Sequence, residues 1–160
     1  MKVVSNSTPL IALARIKQVN LLHAVFGRII IPQGVYNEVV LQGTELPGVK
    51  EIREATWIET LQVQNALAVS LLRTDLDRGE AEAIVLAKEV KADYLLVDEK
   101  KARRIARNSG LRIMGTLGVV ALGVKKGLLP AIDPILDSLE QNGFRFSERV
   151  RTKIKEEIRK

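Results

Sequence analysis

Five short segments rich in apolar residues read as strands: Lys2 to Ser5, Arg28 to Ile31, Trp57 to Leu61, Tyr94 to Val97 and Leu111 to Met114, the first, second and fourth with three or more unbroken apolar or small positions. Successive rather than alternating apolar positions mark strands covered on both faces, as in a parallel sheet. Between the runs, apolar residues recur at helical spacing. Ser7-Thr8-Pro9 predicts a helix start with a hydroxyl cap and Pro in the first turn. Helices are also predicted over Asn20 to Phe26, from Pro32-Gln33-Gly34 through Val40, and over Val49 to Ala55, after a Gly43–Gly48 loop. Asp77-Arg78-Gly79-Glu80 has capping-box spacing and opens a helix reaching about Lys91. Further helices are read over Glu99 to Asn108 with Gly110 as the stop, from Gly115-Thr116 to Gly127, and over Pro130 to Asn142. Strands alternating with helices predict an α/β fold, a parallel sheet sandwiched by helices.

Two of the strands end in a polar side chain followed directly by a helix. Val3-Val4-Ser5 ends in Asn6, and Leu95-Leu96-Val97 ends in Asp98. Ligands of open α/β sheets sit beyond the carboxyl ends of strands. Asn6 and Asp98 are therefore candidate site residues, although either could simply cap its helix. Glu80 shares a helix face with Ala83, Ile84 and Ala87, so its carboxylate leans inward, while Glu82 and Glu89 read as solvated. Glu38, flanked at helical spacing by Val35 and Leu41, also leans inward, with a surface salt bridge as its alternative.

Asn6, Glu38, Glu80 and Asp98 form an oxygen-only donor set, which suits Mg²⁺ or Mn²⁺. Such a centre activates water against a phosphodiester. The chain has no cysteine, which excludes disulfides, thiolate metal sites and a Cys nucleophile and fits a reducing, cytoplasmic setting. The single histidine, His23, reads as a surface or packed residue, so a Ser-His-Asp triad is not expected. Gly115-Thr116-Leu117-Gly118 lacks the spacing of a phosphate-binding loop and reads as a cap and close-packing site.

Charge adds a partner class. The formal net charge of +6 biases the chain toward anions, nucleic acid first. Lys100, Arg103, Arg104 and Arg107 follow the i, i+3, i+4, i+7 pattern and form a basic stripe that begins beside Asp98, with Ala102, Ile105 and Ala106 on the inward side. Such a stripe would hold a phosphate backbone, or it would simply be a solvated face. No apolar stretch is long enough for a membrane span, and no signal peptide is read at the N-terminus. Residues 1–142 are expected to form one domain, and residues 143–160 an amphipathic tail, with Val150, Ile154 and Ile158 at helical spacing, docked on the domain or on a partner.

Five segments, in this order and spacing, resemble the PIN-domain family, which includes the VapC toxins: Val3 to Ile11, Pro32 to Val39, Asp77 to Ile84, Leu96 to Arg103 and Gly115 to Val119. The likeness is to a prokaryotic PIN-like branch of unknown function. It implies a PIN-like domain over 1–142 with an acidic cluster at the carboxyl edge of the sheet, and a metal-dependent ribonuclease using Mg or Mn. Glu38, Glu80 and Asp98 match the family's acids, with Glu99 in reach to assist. Asn6 stands where the family normally has Asp and brings no charge, so the alternative is a catalytically weak or inactive PIN-like RNA-binding or scaffold protein. RNA, a small antitoxin protein and a second copy in a homodimer are the implied partners. A plain protein-interaction module docked through the tail helix is a third reading.

Overall fold

The computed structural model describes residues 1–43 and 45–160. All five strands form where the apolar runs place them: β1 (Val3–Ser5), β2 (Ile29–Pro32), β3 (Ile58–Leu61), β4 (Tyr94–Leu96) and β5 (Ile113–Met114). They make one parallel sheet in the order β3-β2-β1-β4-β5. The chain leaves β1 in one direction and later returns to extend the sheet on its other side through β4. The switch point, where such sheets open a crevice, therefore lies between β1 and β4. Ser5 pairs with Leu96, and the Asn6 amide donates to the Leu96 carbonyl at 2.9 Å. Asn6 and Asp98 thus leave neighbouring strands at the crevice.

Helices cover both faces. Val3, Ile29, Ile31 and Leu96 point to one core, shared with α1 (Ser7–Arg15), α2 (Asn20–Phe26), α3 (Gln33–Tyr36), α8 (Thr116–Lys125) and α9 (Ile132–Gln141). Val4, Leu95 and Val97 point to the other, under α5 (Ala66–Leu72), α6 (Arg78–Glu89) and α7 (Lys100–Asn108). A side-chain period of two along each strand produces this partition. α4 (Val49–Glu54) packs near the first core through Ile52.

Several local readings change. α5 carries no outward sign in the sequence because Leu67 and Leu71 face solvent, 70% and 68% exposed, so its apolar residues do not mark an inner face. α3 runs on as a π-helical turn, Asn37–Leu41. The wider i→i+5 register takes Leu41 off the stripe expected beneath Glu38 and leaves it 60% exposed. No hydroxyl caps α1: Asn6 holds the N-cap position, and its side chain makes no capping bond. The Gly43–Gly48 loop includes Thr44, which lies outside the described residues.

The C-terminal helix, α10 (Glu148–Arg159), lies on α8. Ile154 and Ile158, with Phe144 and Phe146 ahead of the helix, pack against the first core. No helix among the described residues is long and apolar enough to cross a membrane.

Candidate metal and phosphate site

At the crevice the sequence-predicted residues divide into a central pair and two flanking carboxylates. Asn6 is 3% exposed, and its Oδ1 has no hydrogen-bond partner among the described residues. A buried amide oxygen left unpaired costs roughly 1–3 kcal/mol, so something must compensate or the group is held there for use. Glu38 sits beside it, accepting from the Ser7 hydroxyl at 3.0 Å through Oε2. Gly79 makes this closeness possible. A Cβ there would lie 2.9 Å from Glu38 Oε2 and 3.7 Å from Asn6 Oδ1. The first turn of α6 is therefore glycine where it meets the two oxygens.

The capping box on α6 is complete: the Glu80 amide donates to Asp77 Oδ1 at 2.8 Å, and Glu80 Oε1 accepts from the Asp77 amide at 3.1 Å. Glu80 is nonetheless within electrostatic reach of Glu38 and Glu99. Its pKa is raised, mainly by burial, then by the nearby charges of Asp77, Glu99 and Glu38, with the Asp77 amide opposing.

Asp98 does not cap the helix that follows it. Glu99 takes that role, accepting from the Ala102 amide at 2.7 Å. Asp98 instead reaches across to α8, accepting from the Thr116 amide at 2.8 Å and the Thr116 hydroxyl at 2.6 Å. The helix N-terminus expected at Gly115-Thr116 thus has an internal anion. Gly115 leaves room for it, since a Cβ there would sit 2.8 Å from Asp98 Oδ1 and 2.7 Å from Arg103 Nη1. Burial raises the Asp98 pKa, while the Thr116 bonds and the Arg103 charge pull it back.

Within the basic stripe, Lys100, Arg104 and Arg107 are exposed, and Ala102 and Ala106 are fully buried. Arg103 turns inward and donates to the Val97 carbonyl at 3.0 Å. Its burial and the neighbouring Arg107 lower its pKa, with Asp98 opposing. The guanidinium is thus a fixed cation at the edge of the site and not a free member of the outer face. His23 lies away from this centre, stacked on Trp57 with ring centroids 5.2 Å apart.

Glu82 corrects the sequence reading outright. It is buried, accepting from the Gly34 amide at 2.9 Å and from Arg78 Nε at 2.6 Å. Its carboxylate closes the open N-terminus of α3, ties that helix to α6, and so sets the position of Glu38 four residues on. Glu89 also has partners, accepting from the Gln64 and Asn65 amides. The sequence offered one hint of Glu82's role, the Arg78–Glu82 spacing of four. Ser7 and Thr116, which hold Glu38 and Asp98, were visible only as helix-start residues.

Among the described residues, no three acidic or histidine side chains converge at metal-ligand spacing. The structure brings Glu38 and Asn6 together, places Glu80 within electrostatic reach, and holds Asp98 one strand away. The donors are all oxygen, and one of them is buried and unpartnered, which fits a hard cation.

Two effects follow for the metal-free protein. Thr116→Val removes the hydroxyl bond to Asp98 and should destabilise the fold by about 1.5 kcal/mol, read from urea unfolding. The second concerns pH. A carboxyl whose folded pKa is raised favours the folded state below its ordinary value of 4.5 for Glu80, and this contribution is lost as pH rises through the raised folded value. Glu80→Gln should therefore gain stability relative to wild type across that window and be level below it, measured as the difference in unfolding free energy against pH.

Comparison with known proteins bears on the family and the fold. A PilT N-terminus domain protein from the hyperthermophilic archaeon Sulfolobus solfataricus P2 is similar in structure, with a TM-score of 0.55 and 12% identity, covering 92% of this chain and 98% of that one. At that identity the likeness speaks for the fold. Among curated protein sequences no significant match was found. A family model described as PIN domain matches residues 2–160. With five parallel strands, an acidic crevice at their switch point and a match along nearly its whole length, this chain belongs to the PIN-domain family.

Proposed function

We propose that this protein is a Mg²⁺- or Mn²⁺-dependent ribonuclease acting at the crevice between β1 and β4. The observation that carries this reading is the buried, unpartnered Asn6 Oδ1 beside the Glu38 carboxylate, an oxygen pair suited to a hard cation. Glu38 and Asn6 would hold the metal, with Glu80 and Asp98 completing its surroundings directly or through water, as such small cations allow. A divalent ion bound there would supply charge neutralisation and an acidified water. The chain's own part is to orient these oxygens through Ser7, Gly79 and Thr116, and to hold phosphates with Arg103 and the exposed Lys100, Arg104 and Arg107. A cytoplasmic role as a toxin silenced by a small antitoxin, and a homodimer, belong to the same reading.

Asn6 favours a second reading, a PIN fold that binds RNA without cutting it. One Mn²⁺ titration by calorimetry, with RNA cleavage measured on the same samples, separates the two. Wild type should bind Mn²⁺ and cut RNA, Asp98→Asn should do both less well, and Asn6→Asp should bind about tenfold tighter, since it adds a charge to a partly desolvated site. If only Asn6→Asp binds and cuts, the natural protein is a binder. A Glu80→Gln, Asp98→Asn double variant that cuts as fast as wild type would overturn the mechanism.

A further inference from the structure

A groove of about 1210 Å³ runs from Asp98 and Glu99 between α7, α8 and α10. Its two ends differ in charge. Asp98 and Glu99 stand where it opens into the candidate site, and Lys100, Arg103, Arg145 and Lys153 line the rest together with one acid, Glu157, which is paired with Lys160. Lys100, Arg145 and Lys153 are exposed and make no ion pair among the described residues. This contrasts with Arg151 one turn away, which is engaged with acids of α9. Between the cations the floor is apolar, formed by Met114, Leu117, Phe146 and Val150, with Val150 36% exposed. A cation-lined groove with an apolar floor has the chemistry that holds a single nucleic-acid strand: phosphates meet the cations and unstacked bases rest on the floor. A duplex keeps its bases stacked inside and has nothing to place there.

Resting on the ribonuclease reading above, we propose that this groove, walled on one side by the C-terminal segment, is the track for one flank of the substrate. Arg145 and Lys153 hold phosphates leading away from Asp98, and the Met114–Leu117–Phe146 floor receives bases. The C-terminal segment thereby becomes part of the substrate site.

The test measures binding of a short fluorescent single-stranded RNA, and of a blunt duplex of the same sequence, in EDTA over a salt series. The proteins are wild type, Arg145→Ala/Lys153→Ala, and Lys50→Ala/Arg53→Ala as a charge-matched control on α4. Wild type should prefer the single strand. The groove variant should lose roughly tenfold in affinity for it, and its slope of log affinity against log salt should fall by about 1.4, or about 0.7 per lost phosphate contact. The control should change less than about threefold. Equal losses in the groove variant and the control, a preference for the duplex, or no RNA binding by wild type would each overturn the proposal. Cleavage in Mn²⁺ is followed in parallel. Binding that tracks the groove without cleavage leaves the track standing and removes the nuclease, whereas cleavage and binding untouched by the groove variant do the reverse. A peptide or protein that competes with RNA only when the groove cations are present would mark a shared surface, and one that binds where RNA does not would overturn the assignment.

Discussion

Glu38→Gln should abolish most metal-dependent activity and yet make the metal-free protein slightly more stable. The two effects have one cause. Glu38 Oε2 and Asn6 Oδ1 lie within 4 Å of the same point above Gly79, with the amide oxygen unpartnered. Glutamine keeps the shape, and with its amide nitrogen in the place of Oε2 it donates to the Ser7 hydroxyl, which can accept as well as donate. Its amide nitrogen brings a donor to the place where Asn6 Oδ1 lacks one. Supplying that bond is worth about 1 kcal/mol. The same change removes the carboxylate charge beside the orphan oxygen and turns a donor toward any incoming cation. Groups that merely orient metal ligands change affinity or activity by roughly 10–100-fold, so loss of a direct ligand should cost about a hundredfold or more in Mn²⁺ affinity and cleavage. Calorimetry with Mn²⁺ and urea unfolding on the same variant read both signs. A variant that loses stability as well as metal would show that Glu38 serves the fold first. A gain in stability with loss of binding is the signature of a site held in tension for function.

Arg151→Ala should loosen the C-terminal helix and lower stability by about 2 kcal/mol. Arg151 is only 14% exposed and bonds Asp133 at 3.0 Å, Asp137 at 2.9 Å and Glu140 at 2.6 Å, with its guanidinium 5.5 Å from the Phe146 ring centroid. Each charge-assisted bond would count for more in a dry core, but the three acids are 44–61% exposed and rehydrate once freed, so the sum is discounted to about 2 kcal/mol. What is left behind adds to the loss, because Asp133 then keeps only Lys155, and Asp137 and Glu140 lose the cation they share. Arg151 is charged at every accessible pH, and its neighbours push its pKa further up, Glu140 first. Asp133 is shifted down, chiefly by its bond to Lys155, so its share of the contact is present above the ordinary carboxylate value and fades as pH falls through the lowered one. Unfolding at low and high salt should show a larger difference at low salt, and amide exchange should speed up first over Glu148–Arg159. Because α10 carries Lys153, the variant should also weaken RNA binding although Arg151 does not line the groove. Uniformly faster exchange across the whole chain would show that α10 is part of a single cooperative unit.

The sequence by itself determined the sheet and the edge at which chemistry sits. The apolar runs at Val3-Val4, Ile29 to Ile31 and Leu95 to Val97 are too short for helices and suit strands covered on both faces, and a polar residue ending such a strand emerges at the carboxyl edge, as Asn6 and Asp98 do. The Asp77–Glu80 box was legible because both partners lie within one helical turn. Whatever depended on a partner distant in sequence was decided by the tertiary structure. Glu82 looks solvated on its own helix, but α3 brings an open helix terminus to it from 48 residues away, and a carboxylate that satisfies a buried amide and an arginine can be buried. Asp98 passes over its own helix because Thr116, 18 residues on, offers it an amide and a hydroxyl together. Asn6, at a cap position where local preference predicts a bond, makes none, and its side-chain oxygen lies instead near Gly79 and Glu38, brought from distant parts of the chain. Local pattern fixes which way a side chain leaves the backbone, but the partner it meets depends on how the layers pack, and in this protein the candidate site is built from those long-range meetings.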